Sequence, residues 1–138
     1  MTAAYDDRDG KIWMDGKLVD WRDANVHILT HAMHYASSVF EGERCYDGKI
    51  FLSEKHSERL HASAKHLDFE IPYSVAQIEA AKRAALDANG LTDAYVRPVA
   101  WRGSGTDSFM CIGYGDGRDG KIFLDGVKKP PCPFWGCC

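Results

Sequence analysis

The segment HYASSVFEGERCY, residues 34–46, decides the fold. From Ser38 onward its residues alternate well enough to predict a β-strand that runs to Tyr46. Asp47-Gly48 follows at once, and this pair suits the positive φ angles that a type I′ turn needs at both central positions. The chain is therefore predicted to turn back along residues 49–52 as a β-hairpin.

The residues before this segment predict a second hairpin and one ambiguous stretch. Residues 11–21 contain two short apolar runs joined by Asp15-Gly16, the same kind of turn signal. The stretch 22–36 is rich in histidine and small residues, and it is compatible with either a loop or a short helix.

Two helices and a buried strand are predicted after the segment. Residues 53–67 form a helix whose N-cap is assigned to Ser53. Ser74 and Gln77 have the spacing of a capping box and start a second helix, for which Gly90 fits the C′ position. Residues 94–101 then predict a buried strand. Together these elements predict an α/β (α+β) fold, an antiparallel-leaning sheet of hairpins packed by two helices.

Length and charge exclude several classes of protein. A chain of 138 residues with 45% hydrophobic residues is long enough to bury one core. The net charge of −3, without a basic patch, argues against nucleic acid or an anionic membrane as a partner. No apolar run reaches the roughly 18 residues of a membrane span, and the acidic start resembles no secretory signal. A cytoplasmic protein is expected.

Three histidines raise the question of a metal site. His27, His31 and His34 would lie on one face if their stretch were helical, as metal ligands often do. No acidic residue or cysteine joins them at a convincing spacing. We therefore expect structural histidines and no metal.

The segment 34–46 resembles the signature of branched-chain aminotransferases, which are fold-type IV, pyridoxal-phosphate-dependent enzymes of aminotransferase class IV. The resemblance continues through residues 56–60 (HSERL) and 94–98 (AYVRP), and back over 12–16 (IWMDG). Two sister families, the D-amino-acid aminotransferases and the aminodeoxychorismate lyases, usually carry Gly-Asp-Gly where this chain has Phe40-Glu41-Gly42. The match therefore favours the branched-chain branch.

The resemblance implies a domain organisation. Residues 1–105 are similar to the family's small N-terminal domain, and residues 106–138 form a divergent Gly/Cys-rich tail. In the family a larger domain follows and carries the lysine that forms the Schiff base with the cofactor. None of the nine lysines of this chain has a similar context. We expect that the chain stops before the catalytic lysine and has no meaningful turnover alone.

Arg59 is the candidate for cofactor binding. A guanidinium matches a phosphate dianion, and Arg59 lies three residues after His56, so both can share one helix face. The resemblance implies that Arg59 contacts the phosphate of pyridoxal 5'-phosphate. The alternative is a solvated arginine paired with Glu58 or Glu54.

Four residues are candidates for substrate binding. The resemblance places Tyr35 and Phe40 in the pocket for the substrate side chain, where aromatic walls suit an apolar group; the alternative is core packing. Tyr95 and Arg97 lie two apart on a predicted strand and so share a face. The resemblance places this pair near the substrate carboxylates, with Arg97 accepting the distal carboxylate of glutamate. The alternative for Arg97 is a structural salt bridge.

The resemblance implies a reaction and partners. Such enzymes transfer an amino group between leucine, isoleucine or valine and 2-oxoglutarate, with glutamate as the other product, and they act as homo-oligomers. The alternative is a non-catalytic truncated or frameshifted domain that at most binds phosphate or self-associates.

Overall fold

The computed structural model describes residues 4, 6–103, 107–115 and 126–128. Within these residues, eight strands form one mixed but mainly antiparallel sheet. The strands are β1 (Lys11–Met14), β2 (Lys17–Asp20), β3 (Ser38–Phe40), β4 (Glu43–Tyr46), β5 (Lys49–Ile50), β6 (Ala94–Arg102), β7 (Asp107–Gly115) and β8 (Gly126–Lys128). The helices are α1 (His31–Tyr35), α2 (Ser53–His66) and α3 (Val75–Ala88), with a 3-10 turn at Trp21–Asp23. The predicted α/β (α+β) class and the antiparallel sheet are confirmed.

Both predicted hairpins are present. Asp15 and Gly16 have φ angles of 44° and 90°, and Asp47 and Gly48 have 47° and 72°. These are the left-handed conformations that a type I′ turn requires, and Asp tolerates them better than most residues. The turns set the register of the β1–β2 and β4–β5 pairs.

The sheet is organised around β6. This strand pairs with β7 along most of its length, and with β3 and β4 on its other edge. β7 in turn pairs with β1. The sheet therefore continues beyond residue 105, where the sequence predicts the small domain to end, because β7 lies between β6 and β1. The remainder of the predicted tail, residues 106, 116–125 and 129–138, lies outside the described residues.

The helices differ from prediction in two details. A third helix, α1, forms in the stretch that the sequence left open between a loop and a short helix. The N-cap of α2 is Leu52, in a left-handed conformation, and not Ser53. The predicted cap was wrong because the Ser53 hydroxyl bonds to Glu43 and Lys82 instead of to the helix N-terminus.

The start and end of α3 follow the prediction. Ser74 and Gln77 form the complete capping box. Gly90 follows the C-cap residue with a φ angle of 62°, so the helix ends as its sequence signals indicate. None of the helices in the described part of the chain is long and apolar enough to cross a membrane.

The core lies on both faces of the sheet. On the first face, α2 and α3 pack against β6 and β7 through buried side chains that include Leu60, Ile78, Val96 and Ile112. The second face carries a smaller cluster around Trp101, with Val99, Cys111, Ile12 and Trp21. Towards the other end of β6, this second face carries three of the four candidate substrate-binding residues, Phe40, Tyr95 and Arg97.

Candidate functional site

The segment from Phe40 to Arg44 runs from the end of β3 into β4, and its alternate residues lie on opposite faces of the sheet. Glu41 and Glu43 turn towards the helices of the first face, where they bond to residues of α2 and α3. Phe40 pairs with Val99, and Gly42 lies against Tyr95, both on the second face. One short segment therefore contributes to the helix packing and to the candidate site at once.

Phe40 and Arg97 are in direct contact on the second face. The Arg97 guanidinium carbon lies 3.8 Å from the centroid of the Phe40 ring, a cation–π arrangement. Within the described residues Arg97 forms no ion pair, and its buried Nε has no hydrogen-bond partner. The described residues therefore contain no salt bridge of the structural kind considered for Arg97.

Tyr95 occupies the space left by the missing side chain of Gly42. An alanine Cβ at position 42 would lie 2.7 Å from the Tyr95 hydroxyl and 3.3 Å from two ring atoms. Across the sheet, β7 places Gly115 opposite Tyr95 and Gly113 opposite Arg97. Glycine at both positions places no side chain directly across the sheet from Tyr95 and Arg97.

Arg59 lies on α2 and is held by the buried carboxylate of Glu41. Its Nε donates to Oε1 at 2.8 Å, and Nη2 donates to Oε2 at 2.6 Å. His56 Nδ1 lies 2.7 Å from the same Oε2. Burial by itself would raise the pKa of Glu41, but the hydrogen bonds from Arg59 and His56 outweigh it and lower the pKa.

The environment of Arg59 fits a phosphate contact. Its side chain is 66% exposed, and Glu41 engages only Nε and Nη2, so Nη1 has no partner among the described residues. A guanidinium held on one edge and open on the other suits a phosphate oxygen. The alternative pairing with Glu58 or Glu54 does not form: Glu41 is the partner, and Glu58 pairs with Lys55.

Tyr35 lies apart from the other candidates, on α1. Tyr35 is 66% exposed, and its ring is tilted against the rings of His31 and His34, so it is not a core residue. Phe40 is also more than half exposed. The structure thus brings Phe40, Tyr95 and Arg97 to one face and places Tyr35 and Arg59 on helices that contact β6.

The three histidines considered as metal ligands each form a hydrogen bond within the protein. His31 bonds to Ser37, His34 to the carbonyl of Ile28, and His27 accepts from the amide of Leu29. The described ranges contain no group of three or more metal-ligating side chains.

Glu41 and Gly42 belong to the site but were not among the candidate site residues predicted from the sequence. Glu41 is one of three charged residues in the predicted strand 38–46, so its charge alone does not mark it as a buried partner. Gly42 is not marked by the sequence either, because only the folded structure shows what fills its side-chain space.

The comparison with protein families identifies the class of protein to which this fold belongs. Residues 38–124 match the family model for amino-transferase class IV, which is more than half of the chain. The protein belongs to the amino-transferase class IV family.

Within that family, the similar proteins are branched-chain aminotransferases. The branched-chain-amino-acid aminotransferase of Pseudomonas aeruginosa is 50% identical over 102 residues, 71% of this chain and 33% of that protein. The crystal structure of the Escherichia coli branched-chain amino acid aminotransferase superposes with a TM-score of 0.70 at 35% identity, covering 91% of this chain and 42% of that one.

A third similar protein has been solved as a complex with a small molecule. The T.th. branched-chain amino acid aminotransferase, complexed with N-(5'-phosphopyridoxyl)-L-glutamate, superposes with a TM-score of 0.69 at 33% identity, over 86% of this chain and 39% of that one. The present chain spans about a third of the length of the Pseudomonas aeruginosa relative.

Proposed function

We propose that this chain forms the small-domain wall of a branched-chain aminotransferase active site. The reaction would exchange an amino group between leucine, isoleucine or valine and 2-oxoglutarate, with pyridoxal 5'-phosphate as cofactor. The observation that carries the proposal is Arg97, a guanidinium stacked on Phe40 without a carboxylate partner in the described residues. The names of the similar proteins support the same substrate class.

The proposed pocket accounts for two unlike substrates. Phe40 and Tyr95, on one face of the sheet, offer aromatic surface to an aliphatic side chain, since rings bury area with few rotatable bonds. Tyr35, on α1, is proposed to complete this surface. The Arg97 N–H edge offers charge-assisted hydrogen bonds to the distal carboxylate of glutamate or 2-oxoglutarate. The guanidinium carbon lies 3.8 Å from the centroid of the Phe40 ring, and no carboxylate of the described residues pairs with Arg97, so its charge is available to that carboxylate.

Arg59 would contact the phosphate of the cofactor through Nη1. Pyridoxal 5'-phosphate supplies an electron sink for the transamination when bound. The residues of this chain bind and orient: Arg59 the phosphate, Arg97 and Tyr95 the carboxylates, Phe40 and Tyr35 the side chain.

The proposal includes a homo-oligomeric, cytoplasmic protein. Ile28, Leu29, Met33 and Tyr35 are large apolar side chains that all lie more than half exposed near α1. Adjacent exposed apolar residues are typical of a surface that a partner covers. A second copy of the chain is the proposed partner.

We further propose that no lysine within residues 1–138 forms the covalent bond to the cofactor. Lys82 is fully buried and bonded to Glu43 and Glu79, which keeps its amine from an aldehyde. Treatment of the chain with pyridoxal 5'-phosphate and borohydride, followed by mass spectrometry, is expected to give only sparse adducts scattered over exposed lysines. The same reaction in urea provides the control for lysine reactivity. A single stoichiometric adduct on one lysine of the folded chain would contradict this part of the proposal.

A further inference from the structure

A buried polar cluster joins β4 to both packing helices. Its centre is Lys82 on α3, whose side chain is fully buried, as is that of Glu43 on β4. Lys82 Nζ lies 2.8 Å from Glu43 Oε2, 2.8 Å from Ser57 Oγ and 2.9 Å from Glu79 Oε1. It also lies 3.1 Å from both the carbonyl and the hydroxyl oxygen of Ser53.

The Lys82 ammonium group holds this cluster together. The Lys82 amine lies between two glutamates, the fully buried Glu43 and the partly exposed Glu79, and like charges this close together are costly unless a cation lies between them. An ammonium has three protons, which it shares here among acceptors from β4, α2 and α3. Without it, Glu43 and α2 would be joined in this cluster only by the 3.3 Å bond from the Ser53 hydroxyl.

Glu43 is two residues from Glu41, and both turn towards α2. Glu41 holds Arg59 and His56 on that helix, while Glu43 holds Lys82, which binds Ser53 and Ser57 of the same helix. Gly42, between the two glutamates, faces Tyr95 on the opposite side. A shift of Glu43 therefore moves both the anchor of Arg59 and the backbone against Tyr95.

We propose that Lys82 is a positioning residue that sets Arg59 against Glu41 by clamping β4 to α2. What Arg59 binds rests on the proposed function; the positioning itself does not. Removal of the ammonium breaks the bridge from Glu43 on β4 to Ser53 and Ser57 on α2 and leaves the fully buried Glu43 without its cation, so the segment around Glu41 and Gly42 is held less firmly against that helix.

The test is hydrogen exchange at the Arg59 Nε–H, followed by NMR in the ligand-free 138-residue chain with labelled arginine. Lys82→Met is compared with Ile78→Ala, a core substitution on the same helix, under conditions adjusted to equal free energy of unfolding. We expect exchange at Arg59 to be about tenfold faster in Lys82→Met than in the matched control, the factor expected for loss of a hydrogen bond to a charged group.

A second variant covers the case in which Lys82→Met does not fold. The double variant Glu43→Gln with Lys82→Met removes the uncompensated carboxylate together with the clamp. It is expected to fold and still to show faster Arg59 exchange than the wild type. Exchange equal to the wild type in the double variant, or equal to Ile78→Ala in the single variant, would overturn the positioning role.

The same variants separate this inference from the proposed function. The phosphate role is tested in a hybrid enzyme in which residues of this chain replace the matching stretch of the Pseudomonas aeruginosa relative. If Lys82→Met speeds exchange but Arg59→Gln leaves the affinity of the hybrid for pyridoxal 5'-phosphate unchanged, the positioning role is supported and the phosphate role is contradicted. If exchange is unchanged in Lys82→Met but Arg59→Gln weakens cofactor affinity, the phosphate role is supported and the positioning role is contradicted.

Discussion

Replacement of Gly42 by alanine is expected to move the Tyr95 ring while leaving the fold intact. The new Cβ would lie 2.7 Å from the Tyr95 hydroxyl, closer than non-bonded atoms approach, and Tyr95 is the side that can yield. Both residues lie outside the main core, so we expect a change in the free energy of unfolding below about 1 kcal/mol. The effect is therefore one of site geometry: the wall beside Arg97 would be displaced.

The ring resonances of Tyr95 in a tyrosine-labelled chain report this displacement. We expect a large chemical-shift change and loss of close proton contacts between Tyr95 and position 42 in Gly42→Ala. Tyr95→Phe provides the matched background, because it removes the hydroxyl that makes the closest approach. Gly42→Ala should perturb the ring much less in that background. An unchanged Tyr95 environment in the single variant would show that the close approach does not constrain the site.

Replacement of Glu41 by glutamine is expected to release Arg59 and destabilise the fold. The carboxylate is 4% exposed and accepts from Arg59 Nε, Arg59 Nη2 and His56. An amide of the same shape cannot accept these bonds equally and brings two donors towards a guanidinium. We expect a loss of about 2 kcal/mol in the free energy of unfolding, the range for hydrogen bonds to charged groups.

The effect of Glu41→Gln has a definite pH dependence. The pKa of Glu41 in the folded chain lies below the ordinary value of 4.5, so its ionised form favours the folded state. That stabilisation is complete above the unfolded pKa and is lost as the pH falls through the lower folded pKa. The difference between the wild type and the variant in urea unfolding should therefore be full near neutrality and shrink below about pH 4.5.

Glu58→Gln is the matched control for Glu41→Gln. Glu58 lies on the helix that carries Arg59 but pairs with the exposed Lys55. An exposed pair of this kind contributes little, so a change below about 0.5 kcal/mol is expected. Equal losses in the two variants, or a difference that does not vary with pH, would contradict the role assigned to Glu41.

Elements with local signals were predictable from the sequence. The two Asp-Gly turns and the Ser74–Gln77 capping box each depend on a few neighbouring residues, and each appears as predicted. The Ser53 cap has a similar local signal, yet its hydroxyl bonds to Glu43 and Lys82, which lie 10 and 29 residues away. Hydrogen bonds to these distant residues prevail over the preference of serine for the N-cap position, and a single sequence does not show such partners.

The candidate site divides in the same way. The alternation of Tyr95 and Arg97 placed both on one face of a strand, and the structure has them on the second face of β6. The sequence offers Glu58 and Glu54, one and five residues away, as partners for Arg59, but the partner is Glu41, 18 residues earlier. The role of Gly42 depends on a tyrosine on another strand. Side-chain pairing between distant elements is fixed by packing, which periodicity does not encode.

The decisive measurement is a substrate comparison in a hybrid enzyme. Residues 8–103 of this chain replace only the matching stretch of the Pseudomonas aeruginosa relative, which keeps its own counterpart of β7, and transamination is measured with leucine and 2-oxoglutarate. We expect an active hybrid in which Arg97→Met lowers kcat/KM for 2-oxoglutarate at least about tenfold, with a much smaller effect on the 2-oxo acid of leucine. A hybrid that binds pyridoxal 5'-phosphate without transaminating, or an Arg97→Met variant that affects both substrates equally, would contradict the proposed active-site wall.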